Sequence, residues 1–208
     1  MIQCNPIIIS IIIGSADNDE INGFFMHQTP PPRKFVVLGA TGSGKSTFAK
    51  ELARKINIPC IELDALHWLP GWKHVPEDEF RQRVEIATSG KAWVVDGNYG
   101  EVRDITWPRA ETIIWLDYRL WTVFWRLWRR TWSRSWNREL LWGTNYETLY
   151  SQLKIWSAED SLFHWLFKTY WRRKRQYPEL FKLPEFSHLN IIQFQRPEEA
   201  EEWLQIQS

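Results

Sequence analysis

The string GATGSGKS at residues 39–46 constrains this chain more than any other feature of it. It satisfies the G-x-x-x-x-G-K-[ST] template, with Gly39, Gly44, Lys45 and Ser46 at the fixed positions and a further glycine at Gly42. Such a string holds phosphate only between a strand and a helix, where backbone N–H groups and a helix start converge on the phosphate oxygens. Both flanks meet that requirement. KFVVLG, ending at Gly39, is a short β-branched run, and residues 45–56 carry Phe48, Ala49, Leu52, Ala53 and Ile56 at helical spacing.

Further strands are expected at residues 60–64 (CIELD), 93–96 (WVVD), 112–117 (TIIWLD) and 190–194 (NIIQF). Helices are expected at 77–88, 118–136, 146–157, 160–177 and 197–206, the last with a proline at its first position. Strands alternating with helices predict a parallel sheet covered on both faces, with ligands at the carboxyl ends of the strands. Three of the five strands end in aspartate, at Asp64, Asp96 and Asp117, which gathers carboxylates beside the phosphate loop.

With 208 residues the chain fits one α/β domain able to bury its own core. Its 26 Lys+Arg against 25 Asp+Glu exclude a generic polyanion binder, so any electrostatic function must come from local clustering. Cys4 and Cys60 make neither a metal spacing nor a disulfide framework, which suits a reducing cytoplasm. Residues 1–33 are expected to be a poorly ordered extension to a domain over 34–208. Within them, 7–13 is too short an apolar run to span a bilayer and lacks the flanks of a signal peptide; it can at most add an edge strand. Met26 is a possible start of a shorter product.

Several longer strings stand out: GATGSGKST, IPCIELDALHWLPGW, WVVDGNYG, WPRAETIIWLDY, the pair Arg126 and Arg130, and RELLWGTNYE. Through them the chain resembles P-loop nucleoside-monophosphate and shikimate-type kinases, and within them the adenylate-kinase-related bacterial family called DNA topology modulation protein. The resemblance implies a P-loop NTPase three-layer α/β/α fold with a five-stranded parallel sheet in the order 2-3-1-4-5 and a helical lid over about residues 118–177. It implies ATP and Mg²⁺ as cofactors and phosphoryl transfer to a small acceptor, a nucleotide or other anionic metabolite, in a cytoplasmic protein.

Phosphoryl transfer asks the protein to position phosphates, neutralise their charge and exclude water. Backbone N–H groups from Gly42 through Ser43 and Gly44 to Ser46 are expected around the β-phosphate, with Lys45 reaching the β- and γ-oxygens, Ser46 on Mg²⁺ and Thr47 near the α-phosphate. Asp64 is the candidate base, the alternative being a turn or capping aspartate. The resemblance assigns Asp96 to the metal; Asn98 and Tyr99 stand where relatives carry an aromatic-proline step and are placed with the acceptor. Asp117 is either a second metal-side acid or turn chemistry. Arg109 is either an anion clamp or a surface arginine, and His67 with Trp68 either lines the acceptor pocket or is structural.

The chain holds 15 tryptophans, and residues 118–138, YRLWTVFWRLWRRTWSRSWNR, contain six arginines and no acid. At helical spacing Trp121, Trp125, Trp128, Trp132 and Trp136 form one stripe roughly 80° wide, opposite Arg119, Arg126, Arg130 and Arg134. That pattern admits a helix lying on an anionic membrane, a helix on nucleic acid, or a kinase helix that packs its apolar side on the sheet and aims arginines at the transferring phosphate. The resemblance favours the third, with Arg126 over adenine, Arg130 on phosphates and Arg134 beside them. The plain structural reading makes the tryptophans core and the arginines solvated. Trp142, Asn145 and Glu147 are candidates for a lid or acceptor site, Gln195 to Pro197 for a loop against adenine, and the run 172–175 (RRKR) for a solvated helix end. The competing functional class is an ATP-dependent switch that couples nucleotide state to DNA or a protein partner. The oligomeric state is left open by the sequence.

Overall fold

The computed structural model describes residues 32–71, 73–137, 140–141, 145–146 and 162–207, and everything below concerns these. The expected extension at 1–33, apart from residues 32 and 33, the helix expected at 146–157, and Trp142 and Glu147 lie outside them.

Five strands form the central sheet: β1 (Lys34–Gly39), β2 (Cys60–Glu62), β5 (Trp93–Asp96), β6 (Thr112–Leu116) and β9 (Asn190–Phe194). They pair in the order β2-β5-β1-β6-β9, every pair parallel, which is the expected 2-3-1-4-5 arrangement of the P-loop NTPase fold. Period-two alternation inside apolar runs fills both faces. On one face Phe35 and Val37 of β1 join Val94, Ile114, Leu116 and Phe194; on the other Val36 and Leu38 join Val95, Ile113 and Trp115.

The first face is covered by α1 (Lys45–Lys55), α5 (Leu120–Asn137), α6 (Leu162–Phe181) and α7 (Pro197–Gln205). Helix α1 presents Phe48, Ala49, Leu52 and Ala53, the face read from its spacing, and Phe48 stacks on Trp203 of α7 at 6.1 Å between ring centroids. The second face is covered by α3 (Glu77–Ala87) and α4 (Arg103–Arg109), with Tyr177 of α6 and Phe186 sealing it. Trp107 lies at the centre of this aromatic layer, 5.0 Å from Phe186 and 5.5 Å from Phe181.

Two features depart from the expected elements. Strand β2 stops at Glu62, and Leu63–His67 turns into the short helix α2, so Asp64 sits in a helix rather than at a strand end. Helix α4 has no apolar periodicity long enough to announce it, and two hairpins, β3 (Trp68–Leu69) with β4 (Lys73–His74) and β7 (Leu140–Leu141) with β8 (Asn145–Tyr146), are shorter than any pattern could show.

The largest correction concerns α5. Its docked face is Val123 and Leu127, both fully buried, with Thr131, while Trp121, Trp125, Trp128 and Trp132 are 76, 61, 38 and 53% exposed. The apolar stripe expected on the sheet faces outward. Gly42 supplies the reason: a Cβ there would lie 2.7 Å from Leu127 Cβ and 2.9 Å from the Val123 carbonyl oxygen. The phosphate loop approaches α5 so closely that only slim aliphatic side chains fit between them, and a row of indoles is too thick for that seam.

Candidate functional site

Residues 40–44 turn tightly between β1 and α1, the Ser43 amide donating to the Ala40 carbonyl at 3.0 Å. Gly42 and Gly44 hold φ of 86° and 90°, a left-handed backbone that a side chain disfavours. Gly44 precedes α1 without any side-chain cap, and no acid occupies the first turn, so the N–H groups of Lys45, Ser46 and Thr47 start a helix with no protein partner from a cap. The loop is a cradle for an anion.

Asp96, the last residue of β5, is 4% exposed and faces this cradle. Burial pushes its carboxyl above the ordinary range, against the lowering pull of the Lys45 ammonium and a Ser46 hydrogen bond. Its Oδ1 is buried without a hydrogen-bond partner. A buried carboxylate oxygen left open beside a hydroxyl and an ammonium fits a hard cation shared with phosphate oxygens, the way Mg²⁺ is held by one or two protein oxygens. Among the described residues there is no cluster of three or more potential metal ligands, so an all-protein metal cage is not offered.

Asp64 on α2 accepts a hydrogen bond from the Tyr99 hydroxyl at 2.7 Å, and the Trp68 indole bonds to that same hydroxyl. Tyr99 is thereby spoken for on both sides: it orients Asp64 and, driven mainly by burial, holds its own proton far above the usual phenol range. The Asp64 charge adds to the raising of the Asp96 carboxyl, so the two acids lie near each other. His67 forms the wall behind them, 4.7 Å from both Phe80 and Tyr99 and 5.1 Å from Trp68, with Nε2 3.0 Å from His74 Nδ1. Burial, then His74, lowers the His67 pKa, which favours the neutral ring.

Two expected roles are corrected and one is extended. The Asn98 amide accepts from the Gly39 N–H at 3.2 Å and donates to the Gly39 carbonyl, a two-point tie that fixes the entry of the phosphate loop to β5, while Asn98 also lines a cleft with Tyr99 and Arg103. Arg109 ends α4 just before β6, at the amino edge of the sheet, where it donates to the Glu85 carbonyl and carboxylate and to the Thr88 hydroxyl. It cannot clamp an anion at the opposite edge. Asp117 is tied to Gln193 at 2.9 Å and to Lys174 at 3.3 Å, which answers its charge without a metal.

From α5, Arg126 reaches the loop, its Nη1 donating to the Ser43 carbonyl at 3.3 Å and its guanidinium lying 5.6 Å over the Tyr118 ring. Arg130 follows one turn later on the same, half-buried side of the helix. The Arg134 side chain lies outside the described residues. Arg196 pairs with Glu199 at 2.7 Å in the capping box of α7.

Sequence reading passed over a further group. The run 172–175 is split by helical geometry: Arg172 and Arg175 are exposed, whereas Arg173 and Lys174 turn toward the carboxyl edge of the sheet. Arg173 lines a cleft with Gly39, Ala40, Asp117 and Tyr177; Arg103 lines its neighbour with Leu63, Gly97 and Tyr99, and Tyr177 borders both. Burial, then the like charges of Arg172 and Arg103, lowers the Arg173 pKa. Among the described residues no carboxylate pairs with Arg103 or Arg173, so the clefts beside the cradle are cationic. The spacing Arg173 to Tyr177 on one helix face was the available signal.

Over residues 35–117 the chain matches the model of the family "ATPase family associated with various cellular activities (AAA)". No curated protein matches it. Among solved structures it is similar to shikimate kinase from Acinetobacter baumannii in complex with shikimate, at 16% identity over 83% of this chain and 89% of that one, TM-score 0.49. It is similar also to shikimate kinase from Bacteroides thetaiotaomicron, at 15% over 84% and 96%, TM-score 0.47. A gluconokinase from Sinorhizobium meliloti 1021 matches at 18% over 84% and 92%, TM-score 0.46. At such identities a shared outline says nothing of substrate.

Proposed function

We propose that this protein is a P-loop kinase that transfers the γ-phosphoryl group of ATP to a hydroxyl or phosphoryl oxygen of a small anionic acceptor. The observation that carries this reading is the convergence of an uncapped helix start, Lys45 and Ser46 on the buried Asp96 carboxylate, one oxygen of which is open, with a second carboxylate, Asp64, held nearby by Tyr99. The motifs shared with the adenylate-kinase-related family called DNA topology modulation protein support it.

In this reading the loop amides and Lys45 hold the donor phosphates in place, and Arg126 reinforces the loop from α5 and meets charge that develops during transfer. Ser46 and Asp96 are the residues that would hold Mg²⁺, which supplies neutralisation of the phosphate oxygens when bound. Asp64, oriented by Tyr99, takes the proton of an acceptor hydroxyl as its oxygen bonds to the γ-phosphorus and ADP leaves. Arg103 and Arg173 attract the acceptor's negative group, since neighbouring like charges that no carboxylate among the described residues pairs gain from an anion between them.

ADP release from ATP and Mg²⁺ with nucleoside monophosphates, hydroxy acids and sugar acids added singly tests the reading. Acceleration by one of them names the acceptor. A flat rate across the panel with tight ATP binding overturns the kinase reading and leaves the nucleotide switch. Lys45→Met should abolish turnover in a folded protein. Because the Asp96 carboxyl is raised, activity should fall as pH drops through that raised value, where the protonated acid no longer holds the cation, and Asp96→Asn should be inactive at every pH.

A further inference from the structure

The outward face of α5 is not used by anything above. Its tryptophans do not stand singly: Trp132 stacks on Trp128 at 6.4 Å, Trp128 meets Phe163 of α6 at 5.9 Å, Phe163 meets Phe124 at 5.5 Å, and Phe124 meets both Trp121 and Phe167. The result is one aromatic strip across two helices. Phe167 and Trp171 continue it on α6 at 47 and 53% exposure. The charges carried by these two helices have one sign over the described residues 118–137 and 162–178. Arg129 lies exposed along α5, and Lys168, Arg172 and Arg175 along α6, while residues 118–137 and 162–178 contain no Asp or Glu.

Soluble proteins rarely leave an aromatic surface of this extent without a partner. A second copy of the same face is a poor occupant, because a two-fold contact would set the Lys and Arg rim against itself. A single strand of nucleic acid needs ring faces presented one by one along a cationic groove. Here the rings cover one another instead, Trp132 stacked on Trp128 and Phe163 tilted at 55 to 58° against its α5 neighbours. Indole and phenyl groups flanked by Lys and Arg instead match the headgroup level of an anionic bilayer, where rings enter the acyl boundary and cations meet the headgroup charge. No helix among the described residues is long and apolar enough to cross a membrane, so the fit is to a surface.

We infer that the α5–α6 aromatic strip docks this protein on an anionic lipid bilayer, with the phosphate cradle on the inward side of the same helix left free. The strip and the cradle are separate sites, so this inference stands or falls apart from the kinase reading.

The test is co-sedimentation of the full chain with phosphatidylcholine vesicles, with and without phosphatidylglycerol, alongside the variants Trp121→Ala/Trp125→Ala and Arg172→Gln/Arg175→Gln. The expected result is binding only to the phosphatidylglycerol vesicles with a blue shift of tryptophan emission, weakened about tenfold by either double variant. Both variants change exposed side chains, so unchanged thermal unfolding and ATP binding report that they fold. Failure to bind the anionic vesicles overturns the proposal, as does equal binding to neutral vesicles. So does a concentration-dependent dimer, or capture of a single-stranded oligonucleotide, that the tryptophan variant abolishes without affecting vesicles.

Discussion

The two faces of α5 carry one helix's worth of residues to opposite ends. On the inner face Val123 and Leu127 press against Gly42 and Arg126 bonds to the Ser43 carbonyl, so the helix is a backstop for the phosphate loop. On the outer face larger and more apolar side chains stay in solvent. The difference teaches that burial follows fit and not hydrophobicity alone: a seam between a glycine loop and a helix selects slim side chains, and the bulky ones are displaced outward.

That contrast predicts a graded series. The largest effect belongs to Leu127→Ala, which opens a cavity in the seam and should cost about 2–5 kcal/mol in denaturant unfolding, with ATP affinity falling as the loop loses its support. Loss of stability without loss of ATP affinity would mean that the loop does not lean on α5. Next comes Arg126→Gln, which should leave the melting temperature unchanged but slow turnover about 100- to 1,000-fold, if the guanidinium meets developing charge. A mutant with ordinary kcat would reduce Arg126 to a loop tie. Gly42→Ala should destabilise by about 1 kcal/mol or more, from its left-handed φ and the contact with Leu127, and should weaken ATP binding in a calorimetric titration. Smallest of all, Trp125→Ala should shift unfolding by no more than about 0.5 kcal/mol. A larger loss there would mean that the outer strip is core to something within the chain.

The site divides along the same line. The cradle was legible because its glycines, lysine and serine act through local backbone geometry, which a sequence string carries whole. Asp96 was legible because a strand-ending acid beside the loop has few other places to be. Asp64 was read at a strand end and lies in a helix instead, and only the fold brought the Tyr99 hydroxyl to it across 35 positions of sequence. Arg109 was misplaced because a guanidinium reads the same whether it faces a ligand or ties two segments together, as it does to Glu85, and the tie of Asn98 to Gly39 was hidden for the same reason. Arg103 and Arg173 were passed over for the opposite reason: one sits in a helix without periodic signal, the other in a charge run whose members only the docking of α6 tells apart.

By itself the sequence determined the strands, their parallel alternation with helices and the phosphate loop, because β-branched runs, helical spacing and a glycine pattern are each read within a few residues; the strand order came from the resemblance. It also determined that α5 would have a tryptophan stripe opposite an arginine stripe. Which stripe turns inward was decided only by tertiary structure. Periodicity fixes the angles between side chains on one helix, but the rotation of that helix about its axis depends on the shape of the surface it meets, and here that surface is the bare backbone of Gly42.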